Sequence, residues 1–313
     1  MSKNMFDLKD KLNIILDFID NKENVVFLDY PLHHNVGDML IFLGTVKFFE
    51  NNDIKIKKFY SAHDYNLQSL MKVIDDNTTI IFHGGGNFGD LYPIHQDFRE
   101  FVINNFYKNK ILILPQTAFF ENKENINRSR LIYKKHKNIV MFARDKQTHD
   151  LFKSFSDISF LIPDMAHALY GTFQKESVKK GTLYFLRQDI EKSGSQEQFQ
   201  NIQSYDWMDL ISKYDIKVIS FIMKMAKLNR VLKLEILNNL NFFLWNRQIN
   251  IIGGKAALIF SEYDQIITSR LHGHILSCLL DVPSLVVDNS YGKNKAYYEE
   301  WTKDLDNTHF LSK

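Results

Sequence analysis

One short stretch of the chain, residues 268–273, combines the residue types of an anion-binding site with those of proton transfer. It reads Thr-Ser-Arg-Leu-His-Gly, follows an apolar run and leads at once into an apolar helical pattern. This predicts a strand that turns directly into a helix, whose first N–H groups and positive dipole end face a ligand. Arg270 offers a planar fork of donors for phosphate or carboxylate, and His272 exchanges a proton near neutral pH. The alternative is a salt bridge for Arg270 and a packed turn for His272.

A run of glycines, residues 84–86, follows another predicted strand and leads into Asn87 and Asp90. Glycines let the backbone and its N–H groups approach a ligand closely. Their order is not that of a dinucleotide-binding turn, and no Gly-Lys-Ser/Thr phosphate loop occurs. Gly85, Gly86, Asn87 and Asp90 therefore favour a site for a polar ligand such as a sugar, the alternative being a tight turn.

Two further strand ends carry polar residues whose roles the sequence leaves open. Asn35 and Asp38 follow the first strand, and Asp38 is either the N-cap of the next helix or a site residue. Arg144 stands beside Asp145 after a later strand, where it forms either a structural ion pair or part of the site. Neither motif is specific when taken alone.

Asp164 and Arg187 complete the set of polar residues at strand ends. Asp164 follows the last strand of the first half and could orient a catalytic group. Arg187 ends the first strand of the second half, where an anion-binding role would place it in the same cleft as Arg270. Ligands of open α/β sheets bind beyond the carboxyl ends of strands, so the recurrence of polar residues there indicates one site.

Apolar runs and helical patterns alternate along the whole chain, which predicts an α/β protein with parallel, doubly wound sheets. A polar, charged stretch, Lys175 to Lys180, suggests two Rossmann-like domains facing a cleft, residues 1–175 and residues 176–313. The C-terminal helix is expected to pack back on the first domain. In the second half we expect strands at 216–221, 250–252, 265–268 and 284–287, the last of these being the final strand.

Composition excludes several classes of protein. Lys and Arg number 39 against 37 Asp and Glu, so no global basic field argues for nucleic acid. The single cysteine, Cys278, lies in an apolar run and suits a packing role. No run reaches the length of a membrane span, and the first 20 residues lack a signal-peptide pattern. We expect a cytoplasmic protein without a metal, with peripheral membrane contact through residues 121–136 or 297–301 as an option.

The motifs taken together resemble the polysaccharide pyruvyl transferase family. The specific elements are Ser-Arg-Leu-His-Gly at residues 269–273 and the glycine run with its Asn-Phe-Gly-Asp at residues 84–90. Weaker matching pieces lie at residues 35–38, 114–117, 143–145, 163–166 and 288–293, in family order across nearly the whole chain. Residues 190–250 carry no motif that aligns.

The resemblance implies a fold similar to the GT-B glycosyltransferases, with the site in the cleft. It also implies transfer of an enolpyruvyl unit from phosphoenolpyruvate to two hydroxyls of a sugar, giving a cyclic ketal without a further cofactor. The expected acceptor is a lipid-linked oligosaccharide or a polysaccharide repeat unit. By the motif match, the resemblance implies that Arg270, Leu271 and His272 are donor-binding positions. Arg187 is added to them only because it stands at the end of a predicted strand.

The chemistry of such a transfer assigns roles to the remaining residues. His272 is a general acid or a phosphate ligand, and Asp38, Asp90 or Asp164 a base on the acceptor side. The substrate-binding positions complete the predicted site: Asn35, Gly85, Gly86, Asn87, Arg144, Arg187, Arg270, Leu271 and Gly273. Two alternatives are a GT-B-like glycosyltransferase that uses a nucleotide sugar, and a non-catalytic protein that binds sugars or anions.

Overall fold

The computed structural model describes residues 4–176, 180–188, 194–290 and 292–311, and within them two parallel sheets dominate. The first sheet holds β1 (Val25–Leu28), β2 (Ile56–Tyr60), β3 (Thr79–Phe82), β4 (Gly85–Gly89), β5 (Ile111–Phe119), β6 (Ile139–Ala143) and β7 (Ile158–Leu161). The second holds β8 (Thr182–Phe185), β9 (Gln265–Thr268), β10 (Ser284–Val286) and β11 (Thr308–Phe310). No helix among the described residues is long and apolar enough to cross a membrane.

The first sheet has the strand order β2-β1-β3-β5-β6-β7, all parallel. Side chains of β1 alternate between two separate cores, Val25 and Phe27 on one face and Val26 and Leu28 on the other. Both faces are therefore covered, which is why the strands are continuous apolar runs rather than alternating ones. The predicted doubly wound α/β architecture is confirmed.

The α-helices lie between these strands and cover the sheets. Their bounds are α1 (Met5–Asp10), α2 (Val36–Asn51), α3 (Leu67–Val73), α4 (Pro93–Asn105), α5 (Lys123–Lys135), α6 (Lys146–Phe152), α7 (Trp207–Leu210), α8 (Lys213–Leu232), α9 (Glu235–Ser261), α10 (Leu271–Leu279) and α11 (Lys293–Tyr297). Shorter 3-10 helices span Lys11–Phe18, Met165–Leu169 and Gly194–Phe199, and a π-helix spans Tyr298–Thr302.

The glycine run, which follows β3, forms a short strand of its own rather than a tight turn. Residues of β4 pair with the second half of β5, Gly85 with Gln116 and Gly89 with Phe119, while β3 pairs with its first half. A Cβ at Gly89 would lie 1.8 Å from the carbonyl oxygen of Phe119, and its φ is +122°. Gly89 is thus required for this close pairing.

Three expectations for the second half are wrong. The segments 216–221 and 250–252, expected as strands, lie inside α8 and α9. The strand at 284–287 is present as β10, but it is not the last one, since β11 adds an edge. Short β-branched runs have the apolar character of strands, and only the helices' packing against one another decides their state.

One hydrophobic core passes from the first sheet into the second. It includes Phe42 of α2, Trp245 of α9 and Phe185 of β8, all fully buried. The helix pair α8–α9 forms most of the connection between β8 and β9, and α9 packs on α2 of the first sheet. The boundary between residues 175 and 176 falls between the two sheets and stays a prediction; residues 177–179 of the charged stretch lie outside the described residues.

Candidate active site

A cavity of about 470 Å³ opens where the carboxyl ends of both sheets meet. Its walls include the carboxyl end of β5, residues that follow β1, β4 and β6 of the first sheet, and residues that follow β8, β9 and β10 of the second. From the predicted site, it is lined by Asn35, Asp38, Gly86, Asn87, Arg144, Arg187, Arg270, Leu271 and His272. The expectation that ligands bind beyond the carboxyl ends of strands, which we call the strand-end rule, therefore identified residues that do line one cavity.

The stretch 268–273 has the predicted form, a strand end that turns directly into a helix. The Thr268 hydroxyl accepts from the N–H of Arg270 at 3.0 Å, and α10 starts at Leu271. Arg270 donates through Nε and Nη2 to both carboxylate oxygens of Asp206, at 2.7 and 2.5 Å. This bidentate pair fixes the guanidinium at the cavity wall.

His272 lies in the first turn of α10, with only 9% of its surface exposed. Its Nε2 lies 3.4 Å from Oδ2 of Asp164, at the end of the other sheet. On its other side, a Cβ at Gly37 would come within 2.6 Å of Nδ1, so the glycine makes room for the imidazole. The ring is thus held between residues from the first sheet while it faces the cavity.

Asp164 lies behind the cavity wall rather than in it. It is fully buried, forms an ion pair with Arg144, and accepts the N–H of Ala166 at 2.9 Å as the N-cap of a 3-10 helix. Burial alone would raise the pKa of this carboxyl, but Arg144 and the hydrogen bond from His272 hold it far below its usual range. Asp164 is therefore a fixed negative charge that orients two site residues, which corrects its predicted role as a base.

Four cationic side chains line the same cavity: Arg144, Arg187, Arg270 and Lys293. The Arg144 guanidinium is held by the Thr117 hydroxyl, 2.9 Å from Nε, and by Asp164. A Cβ at Gly86 would stand 3.0 Å from Nζ of Lys293 and 3.3 Å from Nη2 of Arg144. Gly86 thus leaves the space into which these two cations point.

Asp38 faces the cavity and is not the N-cap of α2. Asn35 is the cap: its Oδ1 accepts the N–H of Gly37 at 3.0 Å, and its Nδ2 donates to Asp38 at 2.9 Å. Burial would raise the pKa of Asp38, but the nearby rings of His33 and His272 outweigh it and lower the pKa. At neutral pH Asp38 is therefore a carboxylate aimed into the cleft, and it is the Asn35 side chain that holds it there.

A second buried carboxylate, Asp29, holds another cavity histidine. Its backbone has φ +66°, an uncommon conformation for a residue other than glycine, directly after β1. Oδ1 lies 2.7 Å from Nδ1 of His95, and Arg99 bonds to the carboxylate and to Asn87. His95 lines the cavity with Nδ1 anchored in this way. Asn87 is therefore both a wall residue and part of the support for His95.

Besides Asp164, three predicted site residues lie outside the cavity wall. Asp90 accepts the N–H groups of Glu121 and Asn122, at 2.7 and 3.0 Å, so it fixes the turn before α5 and does not line the cavity as a catalytic base would. Gly273 lets α10 pack closely, since a Cβ there would lie 2.5 Å from the Thr268 hydroxyl. Gly85 has φ +119° and lies behind Asp38.

The C-terminal segment reaches back to the first sheet beneath the site. The Tyr297 hydroxyl accepts the N–H of Asp164 at 3.0 Å, and Trp301 donates to the carbonyl of Arg144 at 2.8 Å. The side chains of Tyr297 and Trp301 are buried against the first sheet, and only Tyr298 of the aromatic tail 297–301 is partly exposed. These bonds fix the backbone of both members of the Arg144–Asp164 pair.

Sequence reasoning missed several residues of the site. Lys293 stands in a matched motif after β10 and could have been found by the strand-end rule; His33 lies in the loop before α2. His95 and Asp206 lie at the starts of α4 and α7 and belong to no motif singled out in the sequence, so no sequence pattern indicated that they reach the site. Among the described residues, no group of three His, Cys, Asp or Glu side chains is arranged to hold a metal ion.

Comparisons with known proteins agree on one group. Residues 35–291 match the model of the polysaccharide pyruvyl transferase family. The chain is 36% identical over 310 residues to the Bacillus subtilis (strain 168) protein "Putative pyruvyl transferase EpsO", covering 98% of this chain and 94% of that protein. It is 27% identical over 304 residues to "Pyruvyl transferase 1" of Schizosaccharomyces pombe, covering 89% and 70%.

One solved structure has the same fold. A crystal structure of a functionally uncharacterized protein from Klebsiella pneumoniae superposes with a TM-score of 0.65 at 21% identity, covering 98% of this chain and 99% of that one. At this identity the likeness concerns the fold alone. It agrees with a GT-B-like arrangement of Rossmann-type sheets about a cleft.

Proposed function

The chain belongs to the polysaccharide pyruvyl transferase family, whose activity is pyruvyl transfer in polysaccharide biosynthesis, and we propose that its donor is phosphoenolpyruvate. In this proposal the enolpyruvyl group moves onto two hydroxyls of one sugar, giving a cyclic pyruvate ketal and inorganic phosphate. The convergence of four cations from both sheets on one cavity supports it most directly.

Phosphoenolpyruvate carries a phosphate and a carboxylate close together, about three negative charges at neutral pH. Arg270 and Arg187 lie at strand ends of the second sheet beside the N-terminus of α10, which favours an anion through its N–H groups. Arg144 and Lys293 face the space above Gly86. A donor bound between these pairs has both of its anionic groups matched by cations.

The transfer needs a proton delivered to the donor's methylene carbon, which becomes the methyl group. The adjacent carbon then accepts the first sugar hydroxyl, which loses its proton to a base. Phosphate leaves with the oxygen of the broken carbon–oxygen bond, and the second hydroxyl closes the ketal as it loses its proton. His272 is our candidate for the acid, since Asp164 holds its Nε2 and Gly37 leaves Nδ1 room.

The acceptor side offers a carboxylate and two histidines. Asp38, with its lowered pKa, is a weak base but a good partner for positive charge that develops on the central carbon. Burial lowers the pKa of His33, so its ring is neutral at pH 7 and able to accept a proton. His95, held at Nδ1 by Asp29, presents its other nitrogen as a second candidate base.

The proposed acceptor is a lipid-linked oligosaccharide or a polysaccharide repeat unit, and the proposed reaction uses no cofactor besides the donor. The purified protein is to be incubated with phosphoenolpyruvate and such acceptors, with phosphate release and acceptor mass as readouts. We expect phosphate and an acceptor mass gain of pyruvic acid minus water. Turnover of nucleotide sugars without turnover of phosphoenolpyruvate would support the glycosyltransferase alternative and overturn the proposal.

Arg270→Ala is expected to weaken donor binding by about 2–5 kcal/mol, because it removes a desolvated charged partner of the anion. Titration calorimetry with phosphoenolpyruvate measures this loss. Arg128→Ala, on the exposed face of α5, is the matched control and should bind the donor normally. A folded Arg270→Ala protein with near-normal donor affinity would remove Arg270 from the donor site.

A further inference from the structure

The turn between α8 and α9 exposes an unusual number of aliphatic side chains. We call residues 227–236 the hairpin tip; its sequence is Lys-Leu-Asn-Arg-Val-Leu-Lys-Leu-Glu-Ile. Val231 and Ile236 are 73% and 75% exposed, and three leucines beside them are also exposed: Leu228, Leu232 and Leu234. Single exposed apolar residues are ordinary, but five within nine residues indicate a contact surface.

The same segment concentrates positive charge. Residues 213–236, which include the tip, contain six cationic residues and two acidic ones, Asp215 and Glu235, whereas the whole chain is nearly balanced. Asp215 is buried and bonded to Gln248 and Ser212, so it does not offset the exposed cations. In the tip, Arg230 lies over the Tyr65 ring and Lys233 donates to Gln68, both uncharged partners.

Apolar and cationic residues share the outward face of α8. Tyr214, Phe221 and Leu228 are exposed at helical spacing, and Lys217 and Lys224 stand between them on the same stripe. A helix that presents apolar side chains with interleaved lysines is typical of one lying in the headgroup region of a membrane. A water-facing helix would place polar residues at these positions instead.

The hairpin is fixed to the first sheet close to the cavity. Asn238 donates to Asp64 at 3.3 Å, and Phe242 stacks on Phe59 with ring centroids 3.8 Å apart. Asp64 follows His63, a residue of the cavity wall whose pKa is lowered mainly by burial and in smaller part by the nearby charges of His95 and Lys227. The tip therefore projects beside the acceptor side of the cleft.

We propose that the hairpin tip and the outward face of α8 dock on an anionic lipid surface. The aliphatic side chains enter the headgroup region, and the cations of the same segment bind the lipid phosphates. This inference concerns where the protein binds and does not depend on the donor of the proposed reaction. With a lipid-linked acceptor, it would bring the cleft beside the membrane that carries the substrate.

Flotation with lipid vesicles tests the proposal without any activity measurement. The intact protein is expected to float with vesicles of phosphatidylcholine plus phosphatidylglycerol, and far less with phosphatidylcholine alone. The triple variant Leu228→Ser, Val231→Ser, Ile236→Ser loses apolar burial in the lipid. Its partition coefficient into these vesicles should fall by about tenfold or more. Lys224→Gln with Lys227→Gln should lower it about fivefold per charge.

The matched control changes one exposed leucine and one exposed lysine on α5, Leu131→Ser with Lys134→Gln. This control should float like the unchanged protein, and all variants should keep its thermal unfolding temperature. Loss of binding in the α5 control alone, or no binding by the unchanged protein, overturns the proposal. It is overturned equally if sedimentation shows a dimer that only the hairpin variants disrupt while vesicles bind none of them.

Discussion

His272→Ala is expected to lower kcat for pyruvyl transfer by about 10²–10⁴-fold, with the donor dissociation constant changed only a few-fold. The reason is the placement of the ring: Asp164 holds Nε2, Gly37 leaves space at Nδ1, and the cavity lies in front. In the proposed complex the donor charge is met mainly by the four cations, so removal of the imidazole should affect proton delivery more than binding. Single-turnover kinetics and donor titration measure the two effects separately.

Gly37→Ala is the companion variant, since it keeps the imidazole and moves it. The new Cβ would lie 2.6 Å from Nδ1 of His272, and the side chain must shift to relieve this contact. A misplacement of about 1 Å can lower a rate on the order of 10²-fold while the fold stays intact. Equal losses of kcat and donor affinity in His272→Ala, or full activity in Gly37→Ala, would make His272 a binding residue only.

The local form of the site could be predicted because its rules are local. A strand that ends in Thr268-Ser269 and turns into α10 is visible in sequence, and parallel strands bring such ends to one edge. Arg144, Arg187 and Arg270 reach one cavity for that reason. The family resemblance added the expected donor, which strand periodicity alone cannot give.

The pairings within the site could not be predicted, because they join distant parts of the chain. Asp164 lies 108 residues before His272, and Asp206 lies 64 residues before Arg270, in a segment without an aligned motif. Asp90 and Asp164 looked equivalent as carboxylates after strands. Only the structure shows that one fixes the turn before α5 and the other holds the Arg144 guanidinium.

The helix pair α8–α9 shows a different limit of sequence reasoning. Its segments 216–221 and 250–252 have the apolar character of strands, yet both lie in long helices. Burial of Ile219 and Ile222 in the core selects the helical state, since α8 packs on α9 and α9 on α2. The exposed apolar tip of this hairpin could likewise not be recognised from the sequence, because it depends on where α8 ends and α9 begins.

Asp164→Asn is expected to destabilise the protein by about 3–5 kcal/mol at pH 7, because it leaves the buried Arg144 guanidinium without its carboxylate. The amide of Asn keeps an oxygen that can accept the N–H of Ala166. Its NH₂ group, however, faces the Arg144 guanidinium, which is itself a hydrogen-bond donor. It also loses the acceptor that fixes the Nε2 proton of His272, so kcat should fall with stability. Asp76→Asn, a surface partner of Lys108, is the control and should change stability by less than about 1 kcal/mol.

The difference in unfolding free energy between wild type and Asp164→Asn should depend on pH. This dependence distinguishes loss of the buried carboxylate charge from a simple loss of packing. In the folded protein Arg144 holds the pKa of Asp164 far below its value of about 3.9 in an unfolded chain. The stabilisation is therefore complete at neutral pH and is lost as the pH falls below about 4 toward the folded pKa. Denaturant unfolding at neutral and acidic pH should show the gap between wild type and Asp164→Asn narrowing in acid. A gap of constant size would mean that shape, and not the carboxylate charge, accounts for the loss.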